Sequence, residues 1–312
     1  MSTPARRLSP PPGGRFAGLT RAGTWLRTAA FPVAGAAKGT VALLTGRNEF
    51  IEKYFETIAD LQDRGFDVHL MDWRGQGLSD RPLADRMKGH VGDFIDYIDD
   101  LEAFVAAIPA RGPLILMAHS MGGHIVARAL AERPGLRALT AGAVVLSAMM
   151  AIDTGRLSAR AAARTARALV FAGLGSRAVP APKETGTGFN LLTSDPERAG
   201  DQAHFIAGNP ALALGAPTFG WLDAAFRSMA ALFRPGAIEA IALPVLVGIA
   251  GADRVVKAEA EQAFAARLPQ GQAVVIDAAR HEILKECDAL REQLWRSFDQ
   301  WLTGMIESPN SR

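Results

Sequence analysis

Ser120 stands in the run Ala118-His119-Ser120-Met121-Gly122-Gly123, where a continuous apolar stretch, Leu114 to Met117, gives way to a helical pattern reaching Ala131. A serine on so sharp a strand-to-helix turn has its hydroxyl pushed out of the sheet, and the residues two before and two after it must be small for strand and helix to pass. The first of these small positions is usually glycine; here it is Ala118, one methyl larger. A serine hydroxyl is a weak nucleophile until a base takes its proton. Two later positions supply the partners. Asp253 lies in Gly251-Ala252-Asp253-Arg254-Val255-Val256, just after the apolar run Pro244 to Ile249, and His281 lies in Arg280-His281-Glu282, just after Ala273 to Ile276. The chain order Ser, Asp, His, with each residue on a loop after a strand, predicts an acyl-transfer site. Ser120 would attack a carbonyl, His281 would accept its proton and pass it to the leaving group, and Asp253 would fix the imidazole tautomer. Asp153, which follows the apolar run Ala143 to Leu146, is the rival acid.

Such chemistry needs backbone N–H groups aimed at the oxygen where negative charge develops. Met121, directly after the nucleophile, and Arg47, in the loop Thr45-Gly46-Arg47-Asn48-Glu49, are the expected donors. The same loop also reads as an ordinary turn with Asn48 capping a helix. It lacks the Gly-Lys-Ser/Thr of a phosphate-binding loop, and no residues show metal-ligand spacing, so no cofactor and no metal are expected. His119 and His124 flank the elbow and are expected to pack or hydrogen-bond there. His69 lies in a strand, and His90 and His204 have no catalytic context. The loop Asp72-Trp-Arg-Gly-Gln-Gly-Leu-Ser79 is explained by turns that need positive φ, without a ligand.

The elements that position these residues alternate along the chain. Thr40 to Leu44 and Phe66 to Met71 read as strands around a helix, Ile51 to Arg64. A second helix, Val91 to Ile108, sets Phe94, Ile98, Leu101 and Val105 on one face and Asp96, Asp99, Asp100 and Glu102 largely on others. Strands then read at Leu114 to Met117, Ala143 to Leu146, Pro244 to Ile249 and Ala273 to Ile276, with helices at Ala258 to Leu268 and Ile283 to Ile306. This predicts an α/β protein with a mostly parallel central sheet covered by helices on both faces. Arg15 to Leu19 and Gly23 to Phe31 suggest an antiparallel hairpin at its edge. Between about Met149 and Ile241 no strand signal appears, a span far longer than the usual connection of about 2–6 residues. The expected organisation is a flexible segment at 1–14, a core made of 15–148 and 242–312, and an inserted helical cap at 149–241. The cap opens with a helix from Thr154 to Phe171 whose Arg156, Arg160, Arg164 and Arg167 share one side.

The chain has 312 residues, 49% hydrophobic and 21% charged, with 34 basic against 32 acidic side chains. A net charge of +2 offers no electrostatic case for a nucleic-acid partner. One cysteine, Cys287, excludes an internal disulfide and suits a reducing compartment. The basic, proline-rich start is followed by no signal-like apolar stretch, and the run Ala138 to Ile152 falls short of the about 20 residues a spanning helix needs. A cytoplasmic protein is expected, with contact at the inner membrane face if the arginine row meets anionic headgroups. That row is otherwise a solvated helix face or a partner for a substrate phosphate.

Taken together, these residues resemble α/β-hydrolases of the bacterial lysophospholipase and monoacylglycerol lipase type, classed with serine aminopeptidase-like hydrolases. The resemblance runs through Thr45 to Tyr54, Asp72 to Ser79, His119 to Gly123, Leu192 to Asp195, Pro217 to Leu222, Asp253 to Val256 and His281 to Leu284. It implies the α/β-hydrolase fold with a helical cap, Ser120, Asp253 and His281 as a catalytic triad, and Arg47 and Met121 as oxyanion donors. It also implies an ester hydrolase acting on a single-chain lipid, lysophospholipid or monoacylglycerol. Phe189, Leu191, Leu192, Phe205, Phe219 and Trp221 would line an acyl tunnel, although aromatic side chains more often simply bury a cap on its core. Two alternatives stand beside this reading: a small-ester hydrolase, thioesterase or peptidase with the same triad, and a catalytically silent scaffold that binds a ligand or partner.

Overall fold

A computed structural model describes residues 3–180 and 191–307. Eight strands form one sheet: β1 (Arg15–Arg21), β2 (Thr24–Phe31), β3 (Gly39–Leu44), β4 (Phe66–Met71), β5 (Leu114–His119), β6 (Gly142–Leu146), β7 (Val245–Ala250) and β8 (Gly271–Ile276). Their spatial order is β1-β2-β4-β3-β5-β6-β7-β8, with β1 and β2 antiparallel and β4 through β8 parallel. The helices in chain order are α1 (Pro4–Leu8), α2 (Phe55–Asp63), α3 (Ile95–Ala106), α4 (Met121–Glu132), α5 (Pro134–Leu139), α6 (Ala159–Leu169), α7 (Pro196–Gly208), α8 (Phe219–Leu232), α9 (Ala258–Arg267) and α10 (Asp288–Glu307).

The central strands are apolar throughout because both of their faces are covered. Val41 and Leu43 of β3, with Ile115 and Met117 of β5, pack with α2 and α10. Ala42, Leu44, Leu116 and Ala118 point the other way, into a cluster with α3, α4 and α8. That alternation is the period of two of a strand, used here with two hydrophobic faces. Between β6 and β7 no described residue adds a strand to the sheet, and α6, α7 and α8 occupy the interval.

Several boundaries differ from the sequence expectation for local reasons. The second core helix starts at Ile95 rather than Val91, because Gly92 and Asp93 turn the chain and the Asp93 carboxylate accepts the N–H of Ile95 at 3.0 Å. Asp100 of that helix is buried, not turned outward, since Arg74 grips both carboxylate oxygens at 2.6 Å. The last helix is split: Ile283–Lys285 is a single 3-10 turn, and the Glu286 carboxylate takes the N–H groups of Ser194, Arg280 and Cys287 before α10 begins. Helix α6 starts at Ala159, where Ser158 caps it, so Arg156 lies ahead of the helix. The segment expected to be flexible contains α1, whose Arg7 is buried and ion-paired to Glu197 and Asp201 of α7. Charge pairing, invisible to hydrophobic patterning, ties this end down.

The loop from Asp72 to Ser79 is built as a turn. The Asp72 carboxylate accepts from the N–H groups of Ile51 and Leu78 at 3.0 and 2.9 Å and pairs with Arg27. Gly77, with φ +50, lies so close that a Cβ there would sit 2.2 Å from Asp72 Cγ.

Candidate active site

Ser120 sits at the end of β5 and caps α4, with φ 52° and ψ −117°. This conformation is strained for a residue with a Cβ, at roughly 1–3 kcal/mol, and persists only where the surroundings fix it. They do: the Ser120 N–H donates to Leu146 O at 2.9 Å, and its carbonyl accepts from His124 and Met149 at 3.1 and 3.0 Å. Gly122 allows the helix to cross the end of β3, since a Cβ there would meet Thr45 O at 2.5 Å and Leu44 O at 2.9 Å. The Ala118 methyl, on the other hand, is fully buried in the core without displacing the turn.

His281, on the loop after β8, places Nε2 2.9 Å from Ser120 Oγ and Nδ1 2.7 Å from Asp253 Oδ2. Asp253, on the loop after β7, uses Oδ1 to accept the N–H groups of Val255 and Val256 at 2.7 and 3.1 Å. Its second oxygen is thereby aimed at the imidazole. Burial pushes the Asp253 carboxyl up, but the His281 hydrogen bond and charge and the two amides outweigh it, so its pKa lies below the ordinary value. With an ionised carboxylate on Nδ1, Nε2 is the nitrogen free to take a proton from the serine hydroxyl. Asp153 is exposed, pairs with Lys257 at 3.0 Å, and does not meet His281 among the described contacts.

Met121 is the first residue of α4, where backbone N–H groups have no acceptor within the helix. Arg47 follows β3. Both line, with Ser120 and His281, a cavity of about 930 Å³ at the carboxyl ends of the strands. Of the side chains expected to line it, Leu192 and Trp221 do. Phe205 does not: it packs edge-to-face on Phe50 and Phe55, and its α7 neighbours Ala203, Ile206 and Ala207 face the cavity instead. The helical period allows only one of these faces to turn inward. Phe219, the first residue of α8, is likewise absent from the lining, whereas Trp221 and Leu222 are present. Phe189 lies outside the described residues.

A charged cluster behind the site was not anticipated from the sequence. Glu49 accepts from Tyr54 Oη at 2.7 Å, from Lys53 Nζ at 3.0 Å and from the Gly46 N–H, and His119 Nδ1 lies 3.2 Å from it. Lys53 also donates to Glu282 at 2.6 Å and Gln202 at 3.1 Å. Burial pushes the Glu49 carboxyl up, yet the charges of Lys53 and His119 hold it well below its ordinary value. His119 Nε2 lies 3.0 Å from the carbonyl oxygen of His281, so the histidine expected to hydrogen-bond near the elbow braces the loop of the other. The helical spacing of Glu49 and Lys53 was the one available signal, and it is equally typical of a solvated pair. His124 is structural: Nε2 lies 2.7 Å from Ser228 Oγ, and burial lowers its pKa to about 3. Among the described residues no group of three or more His, Cys, Asp or Glu could hold a metal ion, and no helix is long and apolar enough to cross a membrane.

Comparison with known proteins agrees with this architecture. The family described as serine aminopeptidase, S33, matches residues 35–288. Lysophospholipase L2 of Escherichia coli strain K12 is 35% identical over 271 residues, covering 80% of this chain and 76% of the relative. A probable lysophospholipase L2 of Haemophilus influenzae is 29% identical over 276 residues, covering 86% and 84%. Among solved structures, a soluble variant of monoglyceride lipase from Saccharomyces cerevisiae superposes with a TM-score of 0.76 at 20% identity, covering 94% of this chain and 96% of that one. A monoacylglycerol lipase from Paleococcus ferrophilus superposes with a TM-score of 0.69 at 23% identity, covering 90% and 99%.

Proposed function

The chain belongs to the serine aminopeptidase S33 family of hydrolases, with the α/β-hydrolase fold, and from that premise we propose that it cleaves the carboxylic ester of single-chain lipids by an acyl-enzyme mechanism. The observation that carries the reading is the hydrogen-bonded chain Asp253, His281, Ser120 opening onto a large cavity walled by Met149, Ile152, Ile206, Trp221 and Val256. Its volume of about 930 Å³ is near the top of the usual range for small-molecule sites, roughly 300–1,000 Å³, and suits an extended acyl chain.

In this mechanism Ser120 Oγ attacks the ester carbonyl as its proton passes to His281 Nε2. The carbonyl oxygen becomes an oxyanion, met by the N–H groups of Met121 and Arg47. Collapse expels the glycerol-side oxygen, which takes the proton from His281, and leaves the acyl group on Ser120. Water then attacks that ester with His281 again as base, releasing the fatty acid. Asp253 holds the tautomer and stabilises the imidazolium throughout.

Residues 149–241 are assigned as the cap over this site, with Leu192 and Trp221 among its contributions to the cavity wall. The exposed arginines of its first helix give it a face suited to an anionic lipid surface, where an amphiphilic substrate resides. The test is hydrolysis of p-nitrophenyl esters of rising chain length beside lysophosphatidylcholine and a monoacylglycerol. Turnover of the lipids supports the reading; turnover confined to the shortest esters would replace it with a small-ester hydrolase.

A further inference from the structure

Arg47 differs from the other arginines drawn into this protein. Arg7, Arg27, Arg198 and Arg291 are buried, and each is paired with at least one carboxylate. Arg47 has no ion pair to any described residue. Its one side-chain hydrogen bond among the described residues runs from Nη2 to the carbonyl of Gly215. Nε is buried without a partner and out of a ligand's reach, whereas Nη1 makes no hydrogen bond to a described residue and is not sealed in this way. Glu49, two residues on, is not available to it, because both carboxylate oxygens are engaged by Lys53, Tyr54, Gly46 and the His119 ring. Arg81 also lacks a carboxylate, but carbonyl oxygens of Gly75, Gly77 and Ala213 take its Nη atoms, and it does not line the cavity.

The guanidinium is also held in place. Its carbon lies 5.6 Å from the centre of the Trp221 ring. Gly89 leaves the room it occupies, since a Cβ there would sit 2.8 Å from Nη2. Burial lowers the Arg47 pKa to about 10, which still leaves it charged at neutral pH. A half-buried cation with no counterion among the described residues is costly unless something supplies the negative charge. Here it stands in the wall of the cavity that holds Ser120, and its own backbone N–H is the proposed oxyanion donor. In a lysophospholipid the phosphorus lies a glycerol's length from the scissile carbonyl, comparable to the reach of an arginine side chain from its own backbone nitrogen.

We propose that the Arg47 side chain binds the phosphate of the substrate headgroup, making the enzyme selective for lysophospholipid over the uncharged monoacylglycerol that carries the same ester. This rests on the lipid-ester reading above. The charged Nη1 end of a guanidinium suits phosphate oxygens, whereas a monoacylglycerol offers only hydroxyls and leaves the charge unmet.

The experiment measures kcat/KM for 1-palmitoyl lysophosphatidylcholine and 1-palmitoylglycerol in the same mixed micelles, for wild type, R47M and R47K. The ratio of the two values should fall about thirtyfold or more in R47M, the size expected when one partner of a buried charge pair is lost, and less in R47K. A ratio that R47M does not move overturns the assignment of Arg47 while leaving the lipid-ester reading standing. A wild type that hydrolyses neither lipid overturns that reading and the assignment together. A second arm covers the case in which R47M does not fold. On the wild type, sn-glycerol 3-phosphate should compete with p-nitrophenyl butyrate, and inorganic phosphate should compete more weakly. No competition overturns the proposal, and equal competition by inorganic phosphate makes the site one for free phosphate rather than for a headgroup.

Discussion

Asp253 Oδ2 lies 2.7 Å from His281 Nδ1, and the aspartate side chain is fully buried while doing so. Two backbone amides occupy its other oxygen, so the carboxylate cannot rotate away without leaving them unpaired. The geometry makes D253N a tautomer defect: an amide nitrogen facing Nδ1 favours the proton on Nε2, where the serine hydroxyl needs an acceptor. Steady-state kinetics on a soluble ester should show kcat reduced about 10³–10⁴-fold in D253N. D153N, which removes only an exposed pair with Lys257, should match the wild type. The opposite ranking would move the acid to Asp153.

Ser120→Ala should abolish turnover to about 10⁴-fold below wild type or further, since only binding and oxyanion effects survive. Removing the hydroxyl leaves the turn's backbone bonds to Leu146, His124 and Met149 in place. Thermal unfolding should therefore be nearly unchanged, since alanine keeps the same backbone and gives up only the Oγ bond to His281 Nε2 at the cavity wall. A fluorophosphonate probe should label the wild type and not the variant. Labelling of S120A at the wild-type rate would place the nucleophile elsewhere.

The site was legible in the sequence to the extent that it depends on local pattern. Apolar runs of strand length, followed by Ser120, Asp253 and His281, located the carboxyl ends of β5, β7 and β8 because a strand covered on both faces is apolar without interruption. The features that local pattern does not encode are set by pairing between distant residues. Asp100 reads as a solvent-facing helix position until Arg74 is known to lie against it, and Arg7 reads as part of a loose terminus until Asp201 does. Phe205 shows the complementary error. Its apolar ring suited a lipid tunnel, but the phase of α7 is fixed by Phe50 and Phe55 beneath it, which no local window around residue 205 contains.

Gly122→Ala should cost about 2 kcal/mol or more, the scale of overpacking, because the new methyl would meet two backbone carbonyls that cannot swing aside as a side chain would. Those carbonyls belong to Leu44 and Thr45, which lead into Gly46-Arg47, so the push also displaces the proposed oxyanion loop. Urea unfolding and kcat should both fall. A variant as stable as the wild type would mean that helix α4 can ride up from β3, contrary to the close crossing seen here.

Glu261 sets a pH dependence of stability. Burial drives its carboxyl up, the Ala148 N–H on Oε1 at 2.6 Å opposes this, Asp253 adds to it, and the pKa reaches about 9 against an ordinary 4.5. Between those values the folded protein keeps a proton that the unfolded chain has released. This contribution to stability is thus fully present below 4.5 and is lost as pH rises towards about 9. E261Q cannot ionise and keeps the Ala148 bond. Relative to wild type it should gain stability with rising pH, by up to about 1.4 kcal/mol per pH unit. Denaturant midpoints for both proteins, compared near pH 5 and near pH 8, test this. Parallel curves would mean that Glu261 is ionised in the folded state.

Arg156, Arg160, Arg164 and Arg167 are exposed, and no described ion pair engages them. Arg167 stacks over Phe171 at 5.2 Å, and Phe171 itself is 78% exposed; Leu157, ahead of the other end of α6, is 55% exposed. A row of bare cations with an exposed aromatic ring at one end is the pattern of a surface that meets anionic headgroups while inserting shallowly. Replacing the four arginines by glutamate should weaken binding to vesicles containing phosphatidylglycerol by about 1 kcal/mol or more per residue. Added salt should weaken the wild type in the same direction, since exposed charges are screened over about 8–10 Å at ordinary ionic strength. Hydrolysis of a soluble short ester should continue as before, because none of these side chains reaches the cavity of Ser120. Co-sedimentation across a salt series decides the matter: coincident curves for wild type and the four-site variant would leave the row as a solvated face.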